Sequence, residues 1–120
     1  MNAILKAQNA YAPAVPSIQT PRAIELRILT SITARLSRTT DSYAHFAQAI
    51  HDNRCMWTAL AVDVADSENG LSASLRAQIF YLAEFVSHHS ARVLRGEASA
   101  AALIDVNTSI IRGLHATGRV

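Results

Sequence analysis

The stretch Phe46–Ala65, "FAQAIHDNRCMWTALAVDVA", decides the fold, because its large apolar residues recur at the spacing of a helix. Phe46, Ile50, Asn53, Trp57, Leu60 and Val64 are separated by alternating steps of four and three, so at about 100° per residue they line one stripe. The same rotation disperses the polar run His51, Asp52, Asn53, Arg54 and Cys55. Five successive helical side chains point in five directions and cannot converge on one reacting atom. Only His51 and Cys55, four apart, share a direction as a nucleophile and base or as metal ligands. No third orienting residue accompanies them, and a thiol in so alanine-rich a setting is expected to be packed and inert, with His51 at the periphery. Asn53 is the one polar member of the core stripe. A buried amide must find partners, so Asn53 is expected to bond backbone at a helix end or loop and thereby fix how the helices pack.

Composition agrees with this helix. Of 120 residues half are hydrophobic, many of them alanine, while aromatics make up 6% and there are four glycines and three prolines. Ala, Leu, Arg, Gln and Glu recur between capping residues, which favours helix over sheet. The length suits one domain that buries roughly two thirds of its unfolded surface. A single cysteine excludes an internal disulfide and fits a reducing compartment. The N-terminus lacks a signal-peptide core and no run approaches about 20 apolar residues, so a soluble, cytoplasmic chain is expected. A net charge of +2 is too slight to argue for direct nucleic-acid binding. Glycine-rich phosphate loops, metal-ligand signatures and nucleophile elbows are missing from the sequence, and Asp63, Asp66 and Glu84 show no convergent pairing. No catalytic, cofactor or metal residue is assigned, and the chain is read as a non-enzyme.

Punctuation divides the chain into an all-α bundle of about five helices with a proline-containing N-terminal linker. Ile4, Leu5 and Tyr11 form a short apolar arm, and Pro13, Pro16 and Pro21 interrupt helix after it, giving an arm and linker over residues 1–19. The bundle occupies 20–114 and the tail 115–120 should fray. Thr20 and Pro21 open a helix to about Arg38, with Ile28, Leu29, Ile32 and Leu36 on one side and Arg27, Ser31, Arg35 and Arg38 on another. Asp41 is the expected cap of the next helix, which runs to about Asp66. Gly70 breaks the turn, Ser72 caps a helix to about Leu94, Gly96 stops it, and Ser99 opens the last helix. Within that helix Asn107 lies among Leu103, Val106, Ile110 and Leu114 and takes the same structural reading as Asn53.

The helix "LRAQIFYLAEFVSHHSARVL", residues 75–94, carries two stripes. Leu75, Ile79, Leu82, Val86 and Val93 form the core stripe, with His89 in line. Tyr81, Phe85, His88 and Arg92 lie roughly 100° round the helix at steps of four, three and four. Aromatics with a histidine and an arginine on a flank suit protein recognition, whereas in the plainer alternative Tyr81 and Phe85 pack beneath a neighbouring helix.

In order along the chain, "NAYAP", "TPR" with Glu25, "HDNRCMWTALAVDVA", "LRAQIFYLAEFVSHHSARVL" and "ASAAALIDVNTSIIRGL" resemble the flagellar biosynthesis regulator FlaF family. Ser72 stands where the family pattern has proline, and either residue opens a helix. The resemblance implies a small cytoplasmic helical protein that works on flagellin as a chaperone or as a regulator of its synthesis and secretion. It implies flagellin as partner, with the flagellin-mRNA regulator FlbT as a second one. Tyr81, Phe85, His88 and Arg92 are then the candidate groove surface, and Trp57 a core or groove-floor anchor. Arg27, Arg35 and Arg38 keep an RNA-binding regulator of flagellin translation as the alternative.

Overall fold

A computed structural model of the chain describes residues 21–38 and 42–116. They form four helices: α1 (Pro21–Leu36), α2 (Tyr43–Ala65), α3 (Ala73–Leu94) and α4 (Ala101–Ala116). The all-α class stands, with four helices among the described residues rather than about five. The arm, the linker and Asp41 lie outside the described residues.

Each boundary has a local cause. Ser42, with an extended backbone, caps α2 by accepting the His45 N–H on its Oγ at 3.2 Å, so the cap falls one residue later than the expected Asp41. The Asp66 carboxylate accepts the Glu68 N–H at 2.9 Å, and Asn69 donates to the Asp63 carbonyl while accepting the Leu71 N–H. These bonds and the positive φ of Gly70 turn the chain, and Leu71 plugs into the core. Ser72 caps α3 as expected, accepting the Leu75 N–H at 3.2 Å. Across this turn the Arg76 Nε donates to the Val64 carbonyl at 2.9 Å, satisfying one of the last carbonyls of α2.

Helix α3 ends in a Schellman motif. The Glu97 N–H reaches the Arg92 carbonyl at 2.9 Å, the Gly96 N–H reaches that of Val93 at 3.0 Å, and Gly96 has φ +75°. A Cβ at Gly96 would meet nothing within 4 Å, so the backbone alone penalises a substitution there. Gly96→Ala is expected to cost about 1 kcal/mol, the strain of a left-handed residue, measurable by urea unfolding. Helix α4 then starts beyond Ser99, whose Oγ accepts the Ala101 N–H, and runs to Ala116, two residues past the expected end.

The helices pack as a ring: α1 on α2, α2 on α3, α3 on α4 and α4 on α1. The two diagonal pairs make no close backbone approach. Leu26, Leu29, Ile32 and Leu36 of α1 meet Ile50, Trp57, Leu60 and Val64 of α2, Ile79, Val86 and Val93 of α3, and Leu103, Ile110 and Leu114 of α4 in one core. Burial of a side chain of this size contributes roughly 1.5–3 kcal/mol.

A polar chain runs through that core. Trp57 is 1% exposed and its indole Nε1 donates to Asn107 Oδ1 at 2.7 Å, from α2 to the diagonal helix α4. An indole N–H can only donate, so it fixes the orientation of the Asn107 amide. Asn107 Nδ2 must then face acceptors, and it donates to Asn53 Oδ1 at 2.8 Å and Thr33 Oγ1 at 3.0 Å. Thr33 passes its own proton to the Leu29 carbonyl at 2.7 Å, which leaves its oxygen free to accept. Asn53 and Asn107 are both fully buried. The expectation that Asn53 bonds backbone at a helix end is therefore corrected: its partner is a side chain of α4. The reason is the ring, which points α2 and α4 at each other across the centre while their backbones stay too far apart to touch.

Candidate partner-binding surface

Helix α3 leaves three large aromatic side chains uncovered on its outer side. Tyr81 is 75% exposed, Phe80 50% and Phe85 38%. His88 and Arg92 continue the same face toward the C-terminal end of α3, both exposed. The structure thus brings Tyr81, Phe85, His88 and Arg92 together on an open flank, and the alternative in which Tyr81 and Phe85 pack beneath a neighbouring helix does not hold. Trp57 does not join them, because it is enclosed in the core and bonded to Asn107.

Phe80 was not among the residues singled out from the sequence. It lies on the side of α3 away from both stripes, roughly 100° or more from either, so its rotation assigns it to neither. The available signal was its flank, where Ala73, Ala77 and Glu84 supply nothing large enough to cover it. With them and Tyr81 it lines an open groove of about 590 Å³, closed on the α2 side by Val64, Ala65 and the Arg76 side chain. Arg76 is held there by its bond to the Val64 carbonyl.

Phe85 is fixed by its neighbour. Its ring stacks on that of His89, with centroids 5.1 Å apart and planes 18° from parallel. His89 Nε2 lies 3.1 Å from the Ser99 carbonyl, which only accepts, so this nitrogen carries the proton. The loop before α4 therefore orients His89 and through it Phe85, and a partner docking here meets a ring already in place.

The other chemically capable residues fall elsewhere. His51 and Cys55 do approach each other, with the sulfur 3.6 Å from Nε2, yet both are exposed on the outer side of α2. The expected packed cysteine is thus corrected. Among the described residues the backbone of α2 comes close to α1 and α3, and its outer side, with Val62, is exposed. Among the described residues no three His, Cys, Asp or Glu side chains are grouped to hold a metal ion, and no helix is long and apolar enough to cross a membrane.

Of the α1 arginines, Arg35 forms an ion pair with Asp52 Oδ2 at 2.8 Å, and Gln48 Nε2 donates to Asp52 Oδ1 at 2.9 Å. Partial burial pushes the Asp52 carboxyl up, but the hydrogen bonds from Gln48 and Arg35 and the positive charge beside it outweigh this and hold it below its ordinary value. A depressed folded pKa means the pair stabilises the fold above the unfolded value of about 4 and loses that contribution as pH falls through the folded one. Asp52→Asn is expected to lower stability at neutral pH by about 0.5 kcal/mol, given the solvent access of the pair. Denaturation curves of the two proteins should converge as the medium is acidified below the usual carboxylate range.

Comparison with curated proteins and with solved structures gives no match. A family model, that of flagellar protein FlaF, matches residues 7–114. The match begins ahead of α1, takes in both α2 with its buried Asn53 and α3 with its aromatic flank, and ends in the last turn of α4 at the core residue Leu114. With nine tenths of its length matched in this way, the chain belongs to the flagellar protein FlaF family, and its role lies in flagellar biosynthesis.

Proposed function

We propose that this protein is a flagellin-specific chaperone and regulator, which binds an amphipathic terminal segment of flagellin on the outer face of α3 and so promotes its controlled synthesis and secretion. The observation that carries the reading is Phe80 and Tyr81, exposed along an open groove, with Phe85 exposed on the adjoining flank of the same helix; the other exposed large apolar side chains among the described residues, Tyr43 and Val62, lie on α2. An amphipathic helix laid in such a groove covers the aromatics and hides its own apolar stripe, so that an unassembled subunit stays soluble until export. His88 and Arg92 farther along α3 favour a segment carrying acidic groups there. No catalytic role is assigned to any residue.

Calorimetry with purified flagellin, whole and lacking each terminal segment in turn, tests the reading. The expected result is binding with a negative heat-capacity change that disappears with one of the two segments. Absence of binding to every form of flagellin overturns it. Function would then move to the translation step, through flagellin leader RNA, bound in a salt-dependent way, or through FlbT as protein partner.

A further inference from the structure

We propose that the groove beside Phe80 and Tyr81 also seats a second copy of this chain, which packs its own α3 across the first about a two-fold axis at Phe80. The proposal goes beyond the flagellin reading and does not depend on it.

The charge pattern of α3 is its own complement. The stretch "RAQIFYLAE", residues 76–84, has Phe80 at its centre, with Arg76 four residues before it and Glu84 four residues after it. At about 100° and 1.5 Å per residue, the two charges stand about 6 Å along the helix from Phe80 and about 40° to either side of it. All three side chains line the groove. Charges so placed balance within one copy, and for that reason they suit a second copy turned end for end. A two-fold axis at Phe80 brings Arg76 of each copy to Glu84 of the other. Because the charges lie on opposite sides of the stripe, the copies meet with their helices inclined to one another, as packed helices ordinarily are.

Both charges can take such a partner. The Arg76 guanidinium has several N–H donors, and its bond to the Val64 carbonyl uses the one on Nε. Glu84 is exposed and forms no ion pair with any described residue. Shape agrees with charge. Ala65, Ala73 and Ala77 are exposed and line the groove beside the rings of Phe80 and Tyr81. Each copy thus offers two rings and an alanine-lined hollow to receive those of the other, and a two-fold axis makes both contacts at once. Two rings and three alanines on each side cover less than about 1,200 Å² in all, the small end of specific interfaces. A dissociation constant of about 10–100 μM is therefore expected, weak enough to leave the groove open to a tighter-binding helix.

Sedimentation equilibrium of the full chain without flagellin, from about 1 to 300 μM, spans that constant and keeps the outcome separate from the flagellin reading. Exchange between monomer and dimer is the expected result. Phe80→Ala and Glu84→Arg should each weaken dimerisation at least about tenfold, the first by removing the ring on the axis from both copies, the second by setting like charges together twice. Arg76→Glu should weaken it likewise. An equimolar mixture of Arg76→Glu and Glu84→Arg chains should recover the dimer, because opposite charges then face each other at both positions. Circular dichroism checks that each variant keeps its helices. Should Arg76→Glu unfold through loss of the bond to Val64, Glu84→Arg and Phe80→Ala at exposed positions still decide the matter. A monomer at every concentration overturns the proposal, as does a dimer that Glu84→Arg or Phe80→Ala leaves unchanged, or a mixture of folded charge variants that stays monomeric.

Discussion

Asn107→Ala is expected to destabilise the bundle by about 3–5 kcal/mol. The truncation leaves the Trp57 indole N–H and the Asn53 carboxamide oxygen buried without their partner, and each orphaned group costs about 1–3 kcal/mol. A domain of this size shifts its melting temperature by roughly 4–8 °C per kcal/mol, so thermal unfolding followed by circular dichroism will register the loss. The direction of the chain makes the effect asymmetric. Asn53→Leu removes only one of two acceptors of Asn107 Nδ2, because Thr33 remains, and Asn53 Nδ2 has no hydrogen-bond partner among the described residues to lose. Its expected cost is about 1 kcal/mol. A cycle with Trp57→Phe isolates the cause. Trp57→Phe opens a cavity of its own, so the double mutant stays destabilised, but its loss should fall short of the sum of the single losses by about 1 kcal/mol or more; strictly additive losses would show that the orphaned donor is not what the mutation creates.

Tyr81→Ala/Phe85→Ala should leave the bundle's stability nearly unchanged while lowering affinity for flagellin on the order of 100-fold. Both side chains are exposed on α3, so truncation opens no core cavity. In the proposed complex Tyr81 anchors the partner in the groove and Phe85 on the flank beside it, and losing two such contacts at about 1–2 kcal/mol each gives that factor. His89→Ala offers a subtler version, since it removes the ring that stacks on Phe85 without shortening any contact residue. Calorimetry and urea unfolding on the same preparations separate the two readouts. A double mutant that binds flagellin normally would return the aromatic flank to a passive surface, and one that unfolds would contradict the exposure on which the assignment stands.

The family assignment was legible early, because "HDNR" with Trp57 and "IFYLAEF" with "HHS" are specific in combination and lie in order. The helices were legible too. Ser72, Gly70 and Gly96 each act through backbone geometry within a few residues of themselves, and such local chemistry is written in the sequence. The core stripe of α2 followed from period alone, and Ile50, Asn53, Trp57, Leu60 and Val64 are all buried.

Tertiary structure decided what periodicity leaves open, which is how many neighbours each helix has. The spacing of Tyr81, Phe85, His88 and Arg92 places them on one flank of α3, but only the ring, in which α1 never reaches α3, leaves that flank to solvent. Cys55 sits in a segment apolar on nearly every side, and the same ring leaves its side of α2 uncovered. Asn53 and Asn107 could each be recognised as a polar residue in a core stripe. Their bond joins diagonal helices 54 residues apart in sequence, a distance over which no local spacing carries information. The sequence by itself therefore determined the family, the helices and the inward face of each. The arrangement of four helices in a ring determined which remaining faces meet across the core and which stay open, because contact between helices depends on their positions in space rather than on the rotation of side chains about one axis.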